Sequence, residues 1–188
     1  MFFLTRPTDA QITDFIRKCK DDSLSYPEVG ATRESPPPKY DFDHNRIILG
    51  RGKSVFERAK AAVRAWKMFD VTGLELCYPD TPIEAGRDVA PLAHHLGFYS
   101  LNSCRIVYVI DEPNKFGFAY GTLTDHMEIG EERFTVEFDR DSGEVWYDIL
   151  AFSRPGHILV KLGYLYGRCK QKQFAVGSKD AMIRATAA

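Results

Sequence analysis

The feature that most constrains this chain is a hydrophobic period of two, sustained from Gly73 to Phe152. Leu74 to Tyr78 reads as a strand ended by Pro79-Asp80-Thr81-Pro82. Arg87 to Leu96 reads as a second, and Leu101 to Ile110 as a third, closed by Asp111-Glu112-Pro113-Asn114. Phe116, Phe118, Tyr120 and Thr122 alternate with Gly117, Ala119 and Gly121. Phe134, Val136 and Phe138 alternate with Arg133, Thr135 and Glu137, and Val145, Tyr147, Ile149 and Ala151 with Trp146, Asp148, Leu150 and Phe152. Residues two apart on a strand share a face, so each segment has a side to bury. Turns such as Asp139-Arg140-Asp141-Ser142-Gly143 join them, which predicts an antiparallel meander. Pro91 has no amide hydrogen for a ladder and marks an edge or a bulge.

The flanks have another period. Thr8-Asp9-Ala10-Gln11 has the capping-box form, and Ile12, Phe15, Ile16 and Cys19 follow at helical spacing, predicting a helix to about Asp22. Pro27, Gly30 and Pro36-Pro37-Pro38 then make an extended strap expected to lie on the domain. Asn45 to Leu49 reads as a strand broken by Gly50-Arg51-Gly52. Ser54-Val55-Phe56-Glu57 has capping-box form and starts an amphipathic helix through Val63, Trp66 and Phe69. Pro155 suits the first turn of a final helix whose buried face would carry Ile158, Leu162, Leu165, Cys169 and Val176. The fold class is α+β: six to seven antiparallel strands with helices on one face, in one domain over 1–188, the strap region being 1–40. Gly117, Ala119 and Gly121 would let the sheet bend around the last helix, leaving a cavity between them.

The chain has 188 residues, 44% hydrophobic, with 25 Lys and Arg against 26 Asp and Glu. This length supports a core without disulfides or metal, and the balanced charge excludes a dedicated nucleic-acid binder. Cys19, Cys77, Cys104 and Cys169 lie far apart with no zinc-type spacing. They read as reduced thiols of a cytoplasmic protein, mostly in the core. No stretch has the roughly 18 to 20 apolar residues of a membrane helix. No metal or cofactor is expected, and the chain is read as a monomer or homodimer.

Several residue groups carry possible chemistry. Leu49-Gly50-Arg51-Gly52-Lys53-Ser54 has a phosphate-loop look, but the earlier glycine that a Walker motif needs is Ile47. A tight turn with unusual dihedrals is the better reading. His94 and His95, adjacent on a strand, face opposite ways and do not grip one metal together. Glu132 shares parity with Phe134 and should point inward, needing a partner such as Arg105, Arg133 or His126. Tyr108, Tyr120 and Tyr147 have the same apparent inward parity. With Thr122 they are expected to hydrogen-bond a ligand whose body meets Phe118, Phe134, Ile149 and Leu162. Gly163 and Gly167 have the spacing of close helix packing. Lys161, Arg168, Lys170, Lys172, Lys179 and Arg184 give the last helix a basic, solvated side.

Longer words narrow the reading. Gly117-Phe118-Ala119-Tyr120-Gly121-Thr122-Leu123, His126 and Gly130-Glu131-Glu132-Arg133-Phe134 occur together. So do Leu24-Ser25-Tyr26-Pro27-Glu28-Val29-Gly30, Leu49-Gly50-Arg51-Gly52, Ala65-Trp66-Lys67-Met68-Phe69, Glu144-Val145-Trp146-Tyr147 and Phe152-Ser153-Arg154-Pro155. Over roughly 20–185 the chain resembles uncharacterised protein family five hundred and forty-eight, a domain-of-unknown-function family of bacteria and plants. The element order resembles the START-like, birch-pollen-allergen-like helix-grip proteins, which include polyketide cyclases and lipid-transfer domains. That resemblance implies a curved sheet wrapped around a long C-terminal helix. START-like chains have two helices after the first strand, and only one is clear here, so the N-terminal helix and strap are assigned the other's place.

These observations lead to an expected binder of a small hydrophobic or aromatic molecule, or lipid, in the cavity. The alternative is a cyclase- or hydrolase-like enzyme using Glu132 with His126 or a tyrosine; no set of nucleophile, base and orienting group is visible. The third is a membrane-associated or pore-forming protein, against which Arg105, Arg133, Glu137 and Asp148 interrupt the outward face.

Overall fold

In the computed structural model, which describes residues 1–34, 37–78, 80–124, 126–156 and 164–187, the period-two region folds as a curled antiparallel sheet. Its strands are β1 (Phe2–Phe3), β2 (Asp41–Arg51), β3 (Leu74–Cys77), β4 (Asp88–His95), β5 (Phe98–Leu101), β6 (Cys104–Glu112), β7 (Lys115–Thr122), β8 (Glu128–Phe138) and β9 (Glu144–Pro155). Hydrogen-bonded neighbours run β1-β5-β4-β6-β7-β8-β9-β2, with β3 paired to β4. Among the described residues the end strands β1 and β2 do not pair, so the sheet is open. It has two strands more than the sequence pattern gives. β1 and β5 are too short to show alternation, and the left-handed turn at Leu96 and Gly97 (φ 51° and 80°) folds β5 back on β4. Pro91 costs no ladder bond. β3 flanks it on one side, and on the other β4 changes partner from β6 at Val89 to β5 at Leu92.

The helices are α1 (Asp9–Cys19), α2 (Lys53–Arg64) and α3 (Tyr164–Thr186). α1 has its Thr8–Gln11 capping box and buries Ile12, Phe15 and Cys19. It ends before Asp22 because Arg105, paired to Asp88, collects the carbonyls of Cys19, Lys20 and Asp22. In α2 the expected Ser54–Glu57 box does not form. β2 continues to Arg51, Gly52 (φ 90°) is the cap, and Ser54 falls inside the first turn while Glu57 pairs with Lys60. Gly50 and Gly52 make the tight turn expected of that motif. After α2 a short 3-10 turn, Lys67–Phe69, packs on α3.

Two corrections concern the chain's end. Pro155 closes β9, paired with Glu128, and does not open the helix. Leu165, Cys169 and Val176 are exposed, and α3 buries Ala175, Ser178, Ala181, Met182 and Thr186 instead. The reason is steric. A methyl on Gly177 would stand 2.7 Å from Val71, and Ser178 meets the Tyr147 ring's hydroxyl at 2.8 Å, so at its closest approach the inner face takes small side chains, with Met182 the long one that reaches the core. Ile158, Leu162 and Gly163 lie outside the described residues.

The sheet has a core on each face. On the concave side α2, the 3-10 turn and α3 cover Ile106, Phe118, Phe134, Val136, Tyr147 and Ile149 through Phe56, Val63, Trp66, Phe69 and Met182. On the convex side α1 covers Ala90, Leu92, Leu101 and Leu123. Among the described residues no helix is long and apolar enough to cross a membrane.

Candidate functional site

Cross-strand register builds the site. One concave row runs Ile106, Tyr120, Glu132, Ala151 and Asp43 across β6, β7, β8, β9 and β2. The next runs Phe118, Phe134, Ile149 and Asn45. The second row is roofed by Phe69, whose ring lies 5.8 Å from Phe134. Over the first row Phe69 reaches only Tyr120, at 6.2 Å, and beyond it, above Glu132, Ala151 and Asp43, the roof is missing. There a cavity of about 310 Å³ opens, bounded by Phe69 and Leu74, by Pro91 and Ala93 of β4, and by Gln171, Phe174 and Ala175 of α3. Its walls are mostly apolar, and Glu132, His126, Glu128 and Asp43 supply polar groups.

Glu132 reaches this space, as its parity predicts. Its Oε2 accepts the Tyr120 hydroxyl at 2.8 Å, and burial raises the carboxyl to about 7. Neither arginine expected as a partner is there. Arg105 holds Asp88 and the end of α1, and Arg133 holds Asp148 and the Thr32 carbonyl on the convex face. His126 also lines the cavity. Its Nδ1 accepts the Glu128 amide at 2.9 Å, and burial lowers it to about 4, so the ring is neutral at neutral pH. Glu128 is raised by burial although Ser153 and Gln171 bond to it. Asp43 is held by Arg168 at 2.5 and 2.8 Å.

The other expected ligand contacts divide. Tyr120, Thr122 and Ile149 line the cavity. The Thr122 hydroxyl is already bonded to the Gly130 amide and Ser25. Phe118 and Phe134 are fully buried in the floor beneath it, and Tyr147, bonded to Ser178 of α3 at 2.8 Å, lies inside the core. Tyr108 is on the opposite face. A bulge between Ile106 and Tyr108 shifts the register, so Ile106 pairs with Tyr120 but Tyr108 pairs with Ala119. Leu162 lies outside the described residues. His94 and His95 contribute to the rim, His94 stacked on Tyr99 and His95 edge-on to Phe98. Among the described residues no group of three His, Cys, Asp or Glu is placed to hold a metal.

Sequence reasoning missed two things. Phe174, Gln171 and Asp43 enter the site from α3 and β2, and nothing local marks them. On the convex face Glu131, 2% exposed, accepts the Tyr26 hydroxyl, the amides of Gly30 and Thr32 and the Thr32 hydroxyl, which also meets Tyr108. This fastens the strap to the sheet. The signal was the adjacent pair Glu131-Glu132: neighbours on a strand face opposite sides, so one had to serve the convex face.

The model of the family described as "Domain of unknown function (DUF1990)" matches residues 25–181. The UPF0548 protein of Dictyostelium discoideum is 36% identical, covering 98% of this chain and 95% of its own. That of Deinococcus radiodurans is 38% identical over 82% and 83%. Among solved structures, a hypothetical protein of Helicobacter pylori aligns with TM-score 0.58 at 11% identity, over 88% of this chain and 97% of that one. Human STARD10 aligns with TM-score 0.50 at 12% identity, over 97% and 83%. At such identities the structural likeness speaks for the fold alone, a START-like helix grip. The chain belongs to the DUF1990 family, together with its UPF0548 relatives.

Proposed function

We propose that this protein binds a small hydrophobic or aromatic molecule in the cavity between sheet and α3. The observation that carries this reading is the unfilled space over the Tyr120–Glu132–Ala151 row, enclosed by Phe69, Leu74, Ile149 and Phe174. Its volume, about 310 Å³, falls at the lower end of the ~300–1,000 Å³ common for ligand pockets, and apolar walls with a few polar groups are the usual lining. Native mass spectrometry of the purified chain, with a thermal-shift screen of lipids and aromatic compounds, tests it. Ala151→Phe, which fills the space, should abolish every shift while leaving the chain folded. Equal shifts in this variant and the wild type would overturn the reading.

A second reading, acid–base catalysis, has one observation in its favour: Glu132, raised to about 7 and bonded to Tyr120, can exchange a proton near neutrality. It requires turnover that is lost in Glu132→Gln while binding persists. The pore-forming reading finds little support, since the sheet is open and its concave face is packed with Trp66, Phe118 and Met182.

A further inference from the structure

The walls of the cavity are unequal in charge. Three carboxyl groups face it, Glu132 and Glu128 from β8 and Asp43 from β2. Asp43 is neutralised by Arg168, and Glu128 takes the Gln171 amide at 2.5 Å. Glu132 has one donor, the phenol of Tyr120 on β7, and no cation in ion-pair reach among the described residues. An ionised carboxylate has about four lone-pair sites and is costly to hold away from water when it lacks a counter-charge.

The other titratable groups around the cavity do not supply that charge. His126 is neutral, with Nδ1 accepting a backbone hydrogen. On β4, His95 is lowered by burial, by Lys170 and by His94; at the rim His94 stacks on Tyr99 and His95 meets Phe98 edge-on. Lys170 and Lys172 of α3 are exposed, and the Lys170 ammonium is bonded to Gln173. Tyr147, whose hydroxyl goes to Ser178, and Cys104 lie buried behind the row.

We propose that the cavity takes a hydrophobic molecule bearing a protonated amine, with its nitrogen at the Glu132 carboxyl. This rests on the binding reading above and names the ligand class for the same site. The amine supplies the missing counter-charge and several donors, and its apolar body lies against Phe69, Ile149 and Phe174. An anionic head would meet three carboxyls. Binding of the cation favours ionised Glu132, so amine affinity rises between pH 6 and 8 while the affinity of an alcohol of equal length does not.

Calorimetric titration with n-octylamine, n-octanol and n-octanoate at pH 6 and pH 8 tests this. At pH 8 octylamine should bind ~10-fold or more tightly than octanol, the scale of a charge-assisted contact, and octanoate weakest. In Glu132→Gln, which keeps the side chain's shape, octanol binding is retained and shows the variant is folded, while the preference for the amine falls to within ~3-fold. Octanol or octanoate binding as tightly as octylamine, or an amine preference that survives Glu132→Gln, overturns the inference and leaves the binding reading standing. If none of the three binds, the binding reading falls and this one with it.

Discussion

At the residue scale, two groups in one cavity are displaced in opposite directions by the same cause. Burial raises Glu132 from 4.5 to about 7 and lowers His126 from 6.5 to about 4, each toward its neutral form. The signs follow. The folded chain holds the Glu132 proton more tightly than the unfolded chain, so its contribution to stability is full below about 4.5 and is lost as pH rises toward 7. His126 is the reverse: its contribution is full above 6.5 and is lost as pH falls toward 4. The two slopes oppose each other between 4.5 and 6.5. Glu132→Gln removes one of them, so relative to wild type the variant should gain stability from pH 5 to pH 8, by up to roughly 3 kcal/mol in urea midpoints. A flat or falling difference would mean that water reaches Glu132 freely. Glu132 was legible from parity alone, because an unbroken strand transmits its alternation. Tyr108 was not, because one extra residue at the bulge inverts every parity beyond it, and no local motif announces a bulge.

At the element scale, the strap and the sheet are fitted to each other at glycines. The expectation that Gly117, Ala119 and Gly121 ease bending misses a more specific reason. A methyl on Gly121 would stand 2.1 Å from the Tyr26 hydroxyl, the group that bonds Glu131. A methyl on Gly117 would stand 2.0 Å from the Phe134 carbonyl of the neighbouring strand. These differ in what can yield. Gly121→Ala should lift the strap, costing ~3 kcal/mol through overpacking and donors lost to Glu131. Hydrogen exchange should then show the Gly30 and Thr32 amides losing protection while β7 and β8 keep theirs. Gly117→Ala meets backbone, has no flexible neighbour to move, and should cost more, ~4 kcal/mol or greater, with protection lost throughout β6–β9. If Gly121→Ala unfolds the sheet as well, the strap is part of the core and not a fastening on it. The meander and α1 were legible because amphipathic alternation and a capping box are local. The inner face of α3 was not, since large apolar residues attract the eye while the helix's closest approach takes Ala175, Ser178 and Ala181.

At the scale of the whole molecule, the cavity exists because concave packing stops short. Trp66, Phe69 and Met182 fill the sheet's middle, and Phe174, 5.7 Å from Phe69 and 6.2 Å from Phe134, is the last ring before the open space. No sequence pattern carries this. Whether a hollow remains depends on how far α3 stands from a sheet to which it is linked through residues distant in the chain. The order of elements was readable, and the volume between them was not. Phe174 sits where packing and binding meet, which separates their energies. Phe174→Ala should cost ~2–3 kcal/mol, less than a fully buried phenylalanine because the ring is only partly covered, and should join its own volume to the existing cavity. A ligand that binds only the folded state adds about 2.7 kcal/mol at a hundred times its Kd, worth ~5–10 °C in Tm for a chain of this size. Bulkier hydrophobic compounds that leave wild type unmoved should therefore stabilise Phe174→Ala in a thermal scan. A variant destabilised as expected yet blind to larger compounds would mean that α3 collapses onto the floor, and that the hollow is held open by this one ring.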